Sequence, residues 1–420
     1  MPSRTRVVVT GMGTVTPLGV GLKRFWNGLL QVESAVREMS DPVLQKWTPV
    51  AAQAIDFTPE DYLPRKLVSD TDRFTQFALV SAKEALFDAG FDGDSEHPFG
   101  KEVESDRVGL SLGSAFGGVQ SLEAGAVKLT SSVRVSPRLV SKSIPNAAAG
   151  AIAMTYHITG PSMTYATACA SAANAIGEAV YWLKSGEVDV VLAGGAECLF
   201  TPSILAGLKS AGALAQNGPE DKSRWSRPFD ANRQGMVMGE GAAILVLEEL
   251  EHARARGARI YAELTGYGAS NDAYHETAPH PDGIGAASAM SRALRSAGLR
   301  PKDIDYINAH ATSTPAGDSA ECKALSRVFG DDLSNIPISS IKGVTGHLLG
   351  AAGAIESVAC IKAIEDEILP PTAHCEQPDE LAPASLICNT PLEKRVNRVL
   401  SNSFGFGGQN GVLVWERFVD

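Results

Sequence analysis

The chain has 420 residues, 44% of them hydrophobic, with 41 glycines and a formal net charge of −11. That acidic balance (pI near 5.3) argues against a nucleic-acid binder, and no apolar run reaches the roughly 18 residues of a membrane helix. The N-terminal run Met1-Pro2-Ser3-Arg4-Thr5-Arg6-Val7-Val8-Val9 is too short for a signal-peptide core, so a soluble cytoplasmic protein is expected.

Taken in chain order, β-like apolar runs predict strands at 6–10, 107–112, 163–167, 188–193 and 243–247. More follow at 261–266, 305–309, 336–340, 384–388 and 398–402. Helix-like stretches fall between many of them, at 73–89, 171–185, 285–297 and 351–365. Such alternation predicts an α/β protein with substantially parallel sheets.

A weak internal duplication is also visible. Val9-Thr10-Gly11-Met12-Gly13 resembles Leu264-Thr265-Gly266-Tyr267-Gly268. Then 107–113 matches 305–310, 163–169 matches 336–347, and 190–195 matches 399–404, in the same order. The expected division is 1–255 and 256–420.

The six cysteines are scattered singly, with no CxxC and no Cys/His ligand spacing. Neither a disulfide framework nor a metal site is expected. Gly239-Glu240-Gly241 lacks the pattern of a phosphate loop, so no nucleotide cofactor is implied.

Cys169 stands out. A β-leaning stretch runs into it and a small-residue helical stretch leaves it, the layout of a nucleophile on a strand-to-helix turn. The helix N-terminus there offers free N–H groups and a positive dipole end, both favouring a thiolate. His310 and His347 lie just past β-like runs in Gly/Thr-rich turns. By the duplication, Cys169 and His347 follow equivalent strands and His310 follows the neighbouring one. Functional groups collect at strand C-terminal ends in open α/β sheets, so the three are expected to converge.

Six motifs, in order, then carry a resemblance. They are Thr167-Ala168-Cys169, Arg227-Pro228-Phe229-Asp230, Val237-Met238-Gly239-Glu240-Gly241, the run from Asn308 to Asp318, the run from Lys342 to Gly353, and Asn402-Ser403-Phe404-Gly405-Phe406-Gly407-Gly408. Over nearly its whole length the chain resembles the β-ketoacyl-[acyl carrier protein] synthases of the KAS I/II type, closest to KAS II, in the thiolase superfamily. The resemblance implies two duplicated α/β halves in a five-layered α-β-α-β-α sandwich. It implies a homodimeric condensing enzyme that uses no cofactor and takes its substrates from acyl carrier protein.

The implied chemistry is a decarboxylating Claisen condensation. Cys169 carries the acyl group, since a thiolate attacks a thioester with little activation. Loss of CO2 from a malonyl thioester leaves negative charge on oxygen, which N–H donors from neutral His310 and His347 rings would stabilise. The spacing assigns no separate proton-transfer role to either ring. The resemblance further implies that Lys342 supports the histidines, held by an acidic partner at Glu321. It gives the Phe406 amide a place beside the Cys169 amide in an oxyanion hole, with the Phe404–Gly408 turn around the acyl pocket and the Phe406 ring as its gate. Thr312 and Thr314, two apart in an extended loop, would hydrogen-bond the phosphopantetheine arm, with Thr277 a weaker candidate.

Several positions depart from the family pattern. Ala311 stands for the usual Gly, Gly343-Val344 for Ser-Met, Met236 for Phe and Gln409 for Thr. Phe116 falls where a smaller aliphatic commonly lines the acyl pocket near the dimer interface, and Leu208 where an aromatic often flanks the gate. The Phe116 ring is expected to favour short primers. Basic residues facing the acidic carrier are sparse, with Gly212 at one usual basic position and Lys128, Arg134, Arg138 and Lys209 as remaining candidates. Two rivals share the pattern: a type II polyketide ketosynthase with a dedicated carrier, and a non-catalytic chain-length partner, which typically lacks the cysteine. A thiolase would need a second catalytic cysteine, and Cys388 lacks its context.

Overall fold

A computed structural model describes residues 5–91, 98–100, 103–131 and 133–420; the first four residues of the N-terminal run lie outside these. The first half contains strands β1 (Val7–Thr16), β2 (Val108–Gly113), β3 (Ser162–Tyr165), β4 (Val190–Glu197) and β5 (Gly241–Glu249). The second contains β6 (Ala262–Asn271), β7 (Tyr306–Asn308), β8 (Ile338–Ser339), β9 (Arg398–Gly405) and β10 (Gln409–Glu416). The helices that matter here are α1 (Arg73–Asp88), α2 (Val119–Thr130), α3 (Ala147–Tyr156), α4 (Ser171–Ser185), α5 (Pro202–Ser210), α6 (Ile284–Ala297), α7 (Pro315–Phe329) and α8 (Ala352–Asp366).

The strand order is β8-β7-β9-β10-β6-β1-β5-β4-β2-β3. Read outward from the centre, each half has one order: first strand, fifth, fourth, second, third. That shared order is the duplication in three dimensions. The halves meet where β1 and β6 share the pairs Val8↔Glu263 and Val9↔Ala262. Helix α1 covers β1 and β5 on one outer face, and α6 covers β6 and β10 on the other. Between the halves α4 and α8 pack on each other, and each touches strands of both. This is the five-layered thiolase fold.

Burial explains the composition of the middle layer. Ten residues of α4 are buried, most of them small, so the helices can approach closely. In α8 every residue from Ala352 to Ile361 is buried, on all faces of the helix, and Glu356 is the one carboxylate among them.

The sheet is mixed rather than mainly parallel. In each half the β2–β3 and β2–β4 pairs, or their counterparts, are parallel, while the pairings of the first and fifth strands are antiparallel. The cause is local in the second half: β10 follows β9 through a three-residue turn, which forces an antiparallel pair. The pattern reading missed β10 altogether because the glycine-rich turn before it looks like a loop. The run 384–388 forms only isolated bridges, Leu386 to Ile338 and Cys388 to Thr372. No helix among the described residues is long and apolar enough to cross a membrane.

Candidate active site

Cys169 sits in a tight turn, 168–170, between β3 and α4. Ala168 is left-handed at φ 49°, an unfavourable state for a residue with a Cβ. The turn is held by Ser171, whose hydroxyl donates to the Ala168 carbonyl (2.6 Å) and accepts from the Thr167 N–H (2.9 Å). Gly405 at the end of β9 allows the second half to close on this turn: a Cβ there would lie 2.7 Å from the Thr167 carbonyl and 3.0 Å from the Cys169 nitrogen.

The expected convergence is found. The Cys169 sulfur and one ring nitrogen each of His310 and His347 lie within 4.8 Å of one another, all buried. The imidazole rings stand edge to face, centroids 5.3 Å apart, and the Phe404 ring packs 5.8 Å from His310. Neither ring nitrogen of His347, nor Nδ1 of His310, has a hydrogen-bond partner among the described residues. Burial holds both imidazoles well below their ordinary range, and the Lys342 ammonium adds to it. Both rings are therefore neutral at pH 7, each with one N–H donor and one lone pair.

The thiol behaves differently from the sequence expectation. Burial pushes Cys169 up to about 12, against the opposing pull of Lys342 and of the Phe406 N–H, which points at the sulfur. Desolvation outweighs these two, so burial favours the thiol in the free site.

Lys342 is almost wholly buried, and its partner is Glu356 of α8, not Glu321. Its ammonium also donates to the His310 carbonyl. Glu321 braces the histidine loop instead. It accepts from the backbone N–H of His310 (2.9 Å) and Ala311 (2.7 Å) and from the Asn402 amide (2.9 Å). Lys342 acts on Glu321 only through its charge, with no hydrogen bond between them. Glu356 had a signal in the sequence, as a carboxylate inside an otherwise apolar helix.

A cavity of about 330 Å³ opens over these groups. Its wall contains Cys169, His310, His347, Phe404, Phe406, Thr312, Thr314 and Thr277. The Thr312 and Thr314 hydroxyls lie 3.0 Å apart, as expected for residues two apart in an extended loop. Thr277 is on the exposed rim. Lys342 stands behind the wall. Phe116 and Leu208 do not reach the cavity: Phe116 lies on a loop turned by Gly117 with its ring half exposed, and Leu208 packs from α5 against the first half's core.

Comparison with known proteins decides the family. The N-terminal domain of β-ketoacyl synthases matches residues 4–253 and the C-terminal domain matches 261–376. The chain belongs to the β-ketoacyl synthase family. The 3-oxoacyl-[acyl-carrier-protein] synthase 2 of Coxiella burnetii is 41% identical, over 99% of this chain and 100% of that protein. A β-ketoacyl synthase structure from Burkholderia phymatum is 36% identical with a TM-score of 0.90, covering 99% of this chain and 100% of that one. A type II polyketide ketosynthase, solved with its acyl carrier protein and a bound hexaketide, is 31% identical at the same TM-score and the same coverage. This β-ketoacyl synthase is thus a condensing enzyme, an acyltransferase.

Proposed function

We propose that this chain joins an acyl group carried on Cys169 to malonyl-[acyl carrier protein], releasing CO2 and a 3-oxoacyl-carrier product two carbons longer, in fatty acid elongation. The observation that carries this reading is the meeting of one thiol and two neutral imidazoles within 4.8 Å in the wall of one cavity. In the first step the sulfur bonds to the acyl carbonyl carbon and the thiol proton passes to an adjacent neutral imidazole. The carrier thiolate departs and takes that proton. In the second step malonyl loses CO2, and its electron pair becomes an enolate whose oxygen accepts from the imidazole N–H groups. The new carbon–carbon bond expels Cys169 as a thiolate, which regains its proton from solvent through a neighbouring imidazole, and the Phe406 and Cys169 N–H groups are assigned to the carbonyl oxygen during this step. Lys342, neutralised by Glu356, is assigned a supporting role. No cofactor takes part.

Thr312, Thr314 and Thr277 are assigned to the phosphopantetheine arm that fills the cavity. The acidic carrier is assigned to Arg65 and Lys66, whose short helix 65–70 is joined to Arg138 by the Arg138–Asp70 ion pair, with Lys128, Arg134 and Lys209 as further basic candidates in the same half. A homodimer belongs to the same reading. Strand β3 is an open edge, and Met154, Met163, Tyr181 and Phe116 expose large apolar surface in the same half. Phe116 would meet the acyl chain only where a second copy extends the pocket; there its ring favours short primers, with Leu208 flanking the gate. The division at 255/256 and a cytoplasmic setting complete the proposal.

The test is intact-protein mass spectrometry after incubation with acyl-carrier proteins of graded chain length. A mass gain in the wild type that is absent in Cys169→Ala supports the reading, and preference for short primers supports the Phe116 role. No acylation by any fatty acyl-carrier protein overturns elongation in favour of a dedicated carrier.

A further inference from the structure

Cys375 and Cys388 lie far from the acyl site in sequence, and nothing in the condensation uses them. Their side chains neighbour each other in one apolar cluster, Cys375 within it and Cys388 packed against it. Cys375 is 1% exposed, while Cys388 is partly open to solvent. The backbone fixes the pair from both sides. Thr372 and Cys388 form a parallel bridge, with the Thr372 N–H donating to the Ile387 carbonyl (2.8 Å) and the Asn389 N–H to the Thr372 carbonyl (3.0 Å). The Asn389 side-chain amide donates to the Cys375 carbonyl at 2.8 Å. Each cysteine adjoins a left-handed residue, His374 at φ 63° and Asn389 at φ 57°, so a tight turn flanks each one.

From this geometry we infer that Cys375 and Cys388 form a reversible disulfide under peroxide, with Cys388 as the attacking sulfur and Cys375 as the resolving one. Exposure divides the work. Cys388 is the sulfur that a peroxide can reach, while Cys375 is buried behind it. The Cys388 thiolate takes one oxygen from the peroxide, breaking the O–O bond and releasing water. The sulfenic acid so formed is attacked by the Cys375 sulfur, the S–S bond closes and the oxygen leaves as a second water. Two thiols lose two electrons, and one peroxide becomes two waters. A dithiol reductant reverses the step. The bond would tie the turn at 372–375 to the one at 387–389. The first of these turns also holds β8, through the Thr372 hydroxyl accepting from the Ser340 N–H. The device is therefore a clasp beneath the strand that leads into Lys342 and His347.

The test uses the full chain, reduced, freed of reductant and exposed to graded hydrogen peroxide. It is then alkylated under denaturing conditions and mapped without reduction. The expected result is a linked Cys375–Cys388 peptide, lighter by two hydrogens, in both wild type and Cys169→Ala, and lost on adding dithiothreitol. In Cys375→Ser, dimedone should capture a sulfenic acid on Cys388. The inference is overturned if both wild-type cysteines stay separately alkylatable, or if Cys388 proceeds to sulfinic acid while Cys375 remains free.

Discussion

The two halves of the chain carry the same backbone turn, and only one of them is a reaction site. In the first half the sequence Thr167-Ala168-Cys169-Ala170 turns from β3 into α4. In the second, Leu348-Leu349-Gly350-Ala351 turns toward α8. Ala168 and Leu349 share the left-handed state, at φ 49° and 50°, and the Ala170 and Ala351 N–H groups close the two turns at 3.1 and 3.0 Å. Gly350 is therefore the counterpart of Cys169. What fills the space above each turn differs. Above Cys169 lie the cavity, the two histidines and the Phe406 N–H. Above Gly350 lies the Glu197 carboxyl, at the strand position that matches Phe406. It accepts from the Ser114 hydroxyl and from the Ala115, Phe116 and Gly350 N–H groups. The fold thus supplies the turn and its N–H donors twice. A working site arises where they are left open to a substrate, and a structural lock where a side chain occupies them.

The largest expected effect lies at the open turn. Cys169→Ala should lower acyl transfer by about 10³-fold or more, as loss of a covalent nucleophile does, while leaving the unfolding transition close to that of wild type. Activity assays paired with urea unfolding check both parts. A variant that keeps appreciable condensation would show that the turn only binds substrate. Next comes the ion pair behind the site. Glu356→Gln leaves the Lys342 ammonium buried without its counter-charge and should cost about 3–5 kcal/mol of stability, read from denaturant midpoints. Glu321→Gln should cost less, since the hydrogen-bond donors to Glu321 are all neutral.

That difference between two carboxylates also marks how far the sequence could be read. The nucleophile, both histidines and the threonine pair were legible because each sits in a motif whose residues all serve one cavity. The partner of Lys342 was not, since pairing across 14 positions depends on how α8 packs between the sheet halves. Glu356 was nevertheless marked by its apolar surroundings. The order of strands could be followed through the duplication, whereas their directions could not: β10 is hidden behind a glycine-rich turn. The state of Cys169 was misread for a different reason. The dipole of α4 is written in the sequence, but the burial that favours the thiol belongs to the closed site.

The comparison of turns can be tested by moving the cysteine. A Cβ at Gly350 would lie 2.3 Å from the Glu197 carboxylate and 2.6 Å from the Ala115 nitrogen, so Gly350→Cys must displace packed atoms. The expected cost is about 1–3 kcal/mol, typical of overpacking, measured by thermal unfolding. Placed in the Cys169→Ala chain, it should gain no acyl mass from any carrier. Acylation of the relocated cysteine would mean that the turn alone makes the site, with the cavity and histidines secondary.

The last effect is electrostatic, and its sign differs between the turns. At the open turn, His347 has its folded pKa well below the ordinary 6.5 because it is buried. Its neutral form contributes stability above pH 6.5 that is lost as pH falls through that value, at no more than about 1.4 kcal/mol per pH unit. At the filled turn, burial raises the Glu197 carboxyl from 4.5 to about 7. Its contribution is fully present below pH 4.5 and is lost as pH rises through 7. Unfolding free energies of wild type and His347→Asn should therefore converge or cross as the pH drops below 6.5. Those of wild type and Glu197→Gln should shift the opposite way, against wild type, between pH 4.5 and 7. Opposite slopes follow only if one turn holds neutral bases and the other a trapped acid. Parallel curves for the two variants would mean that the turns share one electrostatic environment, and the contrast drawn from their geometry would fail.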